Sequence, residues 1–293
     1  MVVTLQNWLK NQKLKSNWKE VKIMACKGAK KNQAKVEISV AEDISSETTE
    51  VMKKSTVERL IFGVDSETKP DTTLQNNITE FEWAARNKIF PTFWGRNLVG
   101  DNALSKEEID FLHRKACKIA AIYTDLSQKT TEEQGQDVAK NICSRAKELE
   151  IPKGVAIFLE IGETEAATRN FLRGFASVLI NEGYVPAFRA NTDATFSFDR
   201  EYSRGLQTDK DIFEKCLIWA VAPSLAEYDR VTTTHFIHPD EWRPFAPSGI
   251  TRQDIAIWQY GKSCHPIQDD KGKEITFNVN LVRNEEIIIN YMF

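Results

Sequence analysis

Two carboxylates stand directly behind apolar runs: Asp65 after Leu60-Ile61-Phe62-Gly63-Val64, and Glu160 after Val155-Ala156-Ile157-Phe158-Leu159. A third, Asp125, closes Ile119-Ala120-Ala121-Ile122-Tyr123-Thr124. A carboxylate in such a place seldom stays buried without a partner or a task. Other apolar runs end in or carry Trp94 with Arg96, Tyr123, Arg189, Trp219, and Trp258 with Gln259. This mixture suits a sugar. Aromatic faces stack on pyranose rings, Arg and amide groups bond hydroxyls, and two carboxyl groups share acid, base or nucleophile duties. A retaining glycosidase holds its pair about 5–5.5 Å apart and an inverting one about 6.5–9.5 Å. The candidate pairs are Asp65 with Glu160, or Asp125 with Glu160. Each residue also has a purely structural reading, Asp65 as a loop cap and Trp94 and Trp258 as plugs.

These residues must be positioned by the runs they end. From Arg59 onward a short apolar run alternates with a helical or polar stretch eight times. Besides those above, the runs are Ile89 to Trp94, Tyr184 to Phe188, Leu217 to Val221, Thr232 to Ile237 (the weakest) and Ile255 to Trp258. Nearly continuous apolar character is what strands buried on both faces require. Between them, Ser105 with Glu108 has the spacing of a capping box. Val138, Ile142, Ala146 and Leu149 share a helix face, as do Ala167, Phe171, Phe175 and Leu179. The pattern predicts a (β/α)8 TIM barrel over 58–293, its eight strands parallel and its functional face at their C-terminal ends. No Gly-rich loop follows the first strand, which argues against an open dinucleotide-binding sheet.

Residues 1–57 differ in character, with dispersed lysines and isolated Trp8 and Trp18. Two readings stay open for this N-terminal extension: an arm that docks the barrel onto a protein partner, or an appendage packed on the barrel's own flank or partly disordered. The formal charge of −3 gives no global reason to expect nucleic acid or an anionic membrane as partner. No apolar run approaches the roughly 20 residues that span a bilayer. The first twenty residues lack the apolar core of a signal peptide, so synthesis in the cytoplasm is expected, with lysis or a dedicated machine as routes outward. Five scattered cysteines without a CxxC or Cys/His cluster suggest reduced, mostly buried thiols. Neither a metal nor another cofactor is expected.

The order of motifs resembles the glycoside-hydrolase-like barrels related to the family-25 lysozymes. The motifs are Ile61 to Asp65, Phe93-Trp94-Gly95-Arg96-Asn97-Leu98, Leu104 to Glu108, Ile122 to Asp125, Leu149 to Gly154 leading into Glu160, Phe175 to Tyr184, and Ile257 to Tyr260. Together they cover about 58–282. The resemblance implies a barrel that acts on or holds bacterial cell-wall glycan. It also implies an acid set of which this chain keeps part. Asp65 matches the first-strand acid, and Glu160-Ile161-Gly162 falls on an Asp-x-Glu pattern, leaving Gly162 at the catalytic Glu position. Asn278 takes the place of a late acid. Glu163 could replace the missing acid, although an offset of one residue at a strand end turns a side chain away. A muramidase-like hydrolase and an inactive barrel that binds glycan, or serves as part of a larger assembly, both remain compatible with this set.

Overall fold

The computed structural model describes residues 60–87, 90–124, 128–164, 166–227, 239 and 241–293. The extension with Trp8 and Trp18, the boundary at 57/58, Asp125 and the run Thr232 to Ile237 lie outside the described residues. Six strands follow one another in parallel pairing: β1 (Ile61–Asp65), β2 (Phe93–Asn97), β3 (Lys118–Thr124), β4 (Ala156–Ile161), β5 (Val185–Ala190) and β6 (Leu217–Ala220). A two-residue β7 (Ala226–Glu227) pairs only with the outer part of β8 (Ile257–Gln268), at Gly261 and Lys262. β8 itself pairs in parallel with β6, and β9 (Glu274–Val282) runs antiparallel to both β8 and β1, closing the barrel.

The closed barrel therefore has eight staves, one of which departs from the expectation of eight parallel strands. β6 and β8 bond directly, through Trp219↔Ile257 and Ala220↔Trp258, and are adjacent staves. The remaining stave is β9, which returns from β8 through a tight turn. Asp269 Oδ1 accepts from the Lys271 and Lys273 N–H groups there, and Gly272 takes φ +81°. In β9, Ile275, Phe277, Val279 and Leu281 are buried on one face, and Asn278 and Asn280 lie on the other.

Helices α1 (Glu80–Arg86), α2 (Lys106–Arg114), α3 (Glu132–Glu148), α4 (Arg169–Asn181), α5 (Ser197–Thr208), α6 (Lys210–Phe213) and α7 (Glu285–Tyr291) complete the element order. Thr79, Ser105, Thr131 and Thr168 cap four of them by accepting a backbone N–H from the first turn. At Ser105 only half of the expected capping box forms, because the Glu108 carboxylate turns to Arg96 instead. Cys117, Cys143, Cys216 and Cys264 are buried.

Alternation divides the barrel strands between two environments. Val64, Trp94, Tyr123, Ile157, Phe188 and Trp258 belong to the layer between strands and helices. Phe93, Ala120, Phe158, Ala187, Trp219 and Ile257 fill the barrel interior, joined by Ile288 and Met292 from the α7 segment. Gly63 is where β1 and the Phe93 ring meet. A Cβ there would lie 2.2 Å from Phe93 Cε1, inside any permitted contact. Gly63→Ala should therefore lower the free energy of unfolding by about 1–3 kcal/mol through overpacking; urea denaturation reads this, and an unchanged midpoint would show that the Phe93 ring moves freely.

Candidate functional site

Above the apolar plug, inward positions become polar at the C-terminal ends of the parallel strands. Asp65 ends β1, Thr124 ends β3, Glu160 is the penultimate residue of β4, and Arg189 is the penultimate residue of β5. The register pairs Thr124 with Glu160 and Glu160 with Arg189, so these three side chains are neighbours across adjacent strands. The antiparallel β9 puts Asn278 opposite Asp65, and β8 puts Gln259 opposite Asn280.

Arg189 is the hub. Its Nη2 donates to Asp65 Oδ2 at 3.0 Å and to Gln259 Oε1 at 2.5 Å, while Nη1 donates to Glu160 Oε1 at 2.5 Å. The guanidinium carbon lies 5.2 Å from the centre of the Trp219 ring, and the Trp219 indole N–H donates to Asn280 Oδ1 at 3.0 Å. Burial disfavours the charge of Arg189. The carboxylates of Asp65 and Glu160, with Glu67 farther off, outweigh that cost and hold the guanidinium above its ordinary pKa.

Asp65 is fully engaged. Asn280 Nδ2 donates to Oδ1 at 2.8 Å and Asn278 Nδ2 to Oδ2 at 2.7 Å, in addition to Arg189, and the residue is 5% exposed. Glu160 differs: Thr124 Oγ1 donates to its Oε2 at 2.8 Å, yet its side chain remains 33% exposed. It lines a cavity of about 380 Å³ together with Glu163, Arg189, Ser224, Gln259 and Lys262. Glu163 accepts from Asn191 Nδ2 at 2.9 Å. Glu163 lies two residues past the end of β4 at Ile161 and is exposed. A larger cavity of about 700 Å³ lies against His113, Cys117 and Phe293 and shares no residue with this set.

The structure thus brings Asp65, Glu160, Arg189, Trp219, Gln259 and Asn278 together, while four sequence candidates face elsewhere. Trp94 stacks on Phe81 of α1 at 5.7 Å, and Arg96 is enclosed by Glu108, the Ser66 carbonyl and the Asn102 carbonyl. Tyr123 packs in the strand–helix layer, and Trp258 donates to the Pro223 carbonyl beside Trp242. Each stands one residue out of phase with an inward neighbour, so none reaches the mouth. Even Trp219, though inward, is fully buried beneath Arg189 and offers no face to a ligand. Asn280, Thr124, Ser224 and Lys262 were not singled out in the sequence. The i, i+2 spacing of Asn280 from Asn278 was a usable signal for the first. Among the described residues no group of three His, Cys, Asp or Glu could hold a metal ion, and no helix is long and apolar enough to cross a membrane.

Polar residues from several strands gathered at one mouth are what (β/α)8 barrels of many chemistries share. Residues 92–274, 183 of the 293, match the family of the Rv2525c-like, glycoside hydrolase-like domain, and the chain belongs to that family. An uncharacterized B. stearothermophilus protein has a similar fold, with 23% identity, 80% of this chain and 100% of that chain covered, and a TM-score of 0.64. The family GH25 lysozyme of Aspergillus fumigatus aligns with TM-score 0.45 and 11% identity, covering 80% of this chain and 100% of its own. The lysozyme of Streptomyces coelicolor aligns with TM-score 0.40 and 10% identity, over 76% and 92%. No curated protein matches the sequence.

Behind the β1 end lies a second polar cluster. Glu80, wholly buried at the start of α1, accepts from Thr68 Oγ1 at 2.6 Å, and Thr68 shares a hydroxyl contact of 2.9 Å with Ser66. Its Oε1 has no hydrogen-bond partner. Burial pushes its carboxyl up from 4.5 to about 7, against the opposing hydrogen bonds and the nearby Arg96. The folded chain therefore keeps a proton that the unfolded chain has lost between those values. Stability should fall as pH rises from 4.5 through about 7, by roughly 3 kcal/mol. Glu80→Gln should flatten that slope and be the more stable form at pH 8; parallel slopes in urea titrations of the two proteins would contradict this.

Proposed function

We propose that the barrel mouth binds bacterial cell-wall glycan without cleaving it. The observation that carries this reading is the Arg189 bridge. It ties Asp65 to Glu160 and Gln259, so Asp65 has no free oxygen and little exposure with which to meet a glycosidic bond. Glu160 is the carboxylate of that set which the cavity reaches, and both of its oxygens already accept hydrogen bonds. Hydrolysis needs a carboxyl that delivers a proton and a second one set across the bond from it. A site made of acceptors and donors in fixed positions suits sugar hydroxyls instead. Membership of a glycoside hydrolase-like family supports carbohydrate as the ligand class. The motif resemblance to family-25 lysozymes supports cell-wall glycan within that class.

One observation favours a second reading, a muramidase-like hydrolase. Glu163 is among the residues around the same cavity as Glu160 and accepts from Asn191, which supplies a second carboxylate near the mouth. Purified full-length protein should be incubated with insoluble peptidoglycan, scoring both its retention and new reducing ends. Retention without reducing ends is expected, and Glu160→Gln should weaken it several-fold. Reducing ends that disappear in Glu160→Gln would establish the hydrolase, and failure to be retained would remove the glycan reading.

A further inference from the structure

A sugar ring has two apolar faces as well as hydroxyls, and an acceptor-lined cavity satisfies only the latter. The aromatic rings expected to supply a stacking surface, Trp94, Trp219 and Trp258, are all fully buried. One phenyl ring beside the mouth is not. Phe245 is 42% exposed, and its main chain is held from both sides by strand-end loops. Its N–H donates to the Ala222 carbonyl just past β6 at 2.9 Å, and its carbonyl accepts from Thr192 Oγ1 just past β5 at 2.9 Å. Pro244 and Pro247 flank it and restrict the chain further.

Those anchor points adjoin the cavity wall. Val221 and Ser224 line the cavity on either side of Ala222, and Ala190 lines it two residues before Thr192. Leu225, 44% exposed, follows Ser224 and donates its N–H to the Tyr260 carbonyl, next to Gln259. Phe245 and Leu225 thus stand on segments that adjoin the lining of one polar cavity, without being part of that lining. A single exposed apolar residue is ordinary; one whose main chain is bonded on both sides to the strand-end loops of a polar cavity is more specific. The Ser224 Oγ, by contrast, is closed off from the cavity and has no hydrogen-bond partner, so the polar contacts fall to Glu160 and Lys262.

We propose that Phe245 is the platform on which a hexopyranose ring of the glycan lies while its hydroxyls bond to Glu160 and Lys262. This rests on the glycan-binding reading above and assigns it a stacking residue. Binding isotherms of the full-length protein on insoluble peptidoglycan test it, with Phe245→Ala, Phe245→Trp and Glu160→Gln measured beside the wild type. Phe245→Ala should weaken binding about tenfold, with an unchanged thermal unfolding midpoint because the ring is half out of the protein. Phe245→Trp should keep the affinity and show a change in indole emission on binding. If Phe245→Ala binds as the wild type does while Glu160→Gln is weakened, the platform is wrong and the glycan site stands. If the wild type itself does not bind, both fall.

Discussion

A guanidinium enclosed among three strands is the constraint around which the mouth of this barrel is organised. Removing Arg189 from water costs several kcal/mol, recovered only if its charge and its N–H groups find partners of good geometry. Asp65 and Glu160 supply the countercharge, Gln259 a further acceptor, and the Trp219 ring a face beneath it. The satisfaction is nearly complete, with Nε left unpartnered. Because the partners come from β1, β4 and β8, the same contacts that neutralise Arg189 also hold distant staves in register.

The antiparallel stave belongs to this arrangement. Its alternation sends Asn278 and Asn280 inward, where both donate to Asp65, and Asn280 also accepts from Trp219. Two amides and a guanidinium leave Asp65 a structural acceptor. Glu160, bonded on both oxygens but open to the cavity, is the carboxylate that faces outward. The division of labour between the two carboxylates follows from how many donors surround each one, and it supports recognition over bond cleavage.

Much of the barrel could be read directly from the chain. Seven of the apolar runs became staves because strands buried on both faces need little else, and Asp65, Glu160, Arg189 and Gln259 gather at one end. The eighth stave escaped notice because β9 is not a continuous apolar run: Asn278 and Asn280 interrupt it, and they do so because they serve Asp65. Periodicity also misassigned Trp94, Arg96, Tyr123 and Trp258. A buried strand with apolar residues on both faces does not announce which face is inward, and a shift of one residue exchanges barrel interior for helix layer. Exposed Phe245, on an irregular segment between two prolines, had no periodic signal at all. Glu80 had no signal in the sequence, and only its complete burial and its bond from Thr68 set it apart.

The central claim is that Asp65 serves Arg189 rather than a ligand. A double-mutant cycle between Arg189→Met and Asp65→Asn, read as urea unfolding free energies, tests it most directly. Removing either partner strands a charge, so the account predicts a coupling energy of about 2–4 kcal/mol. A coupling near zero, with Asp65→Asn leaving stability unchanged, would contradict it and return Asp65 to the candidates for direct work on the glycan.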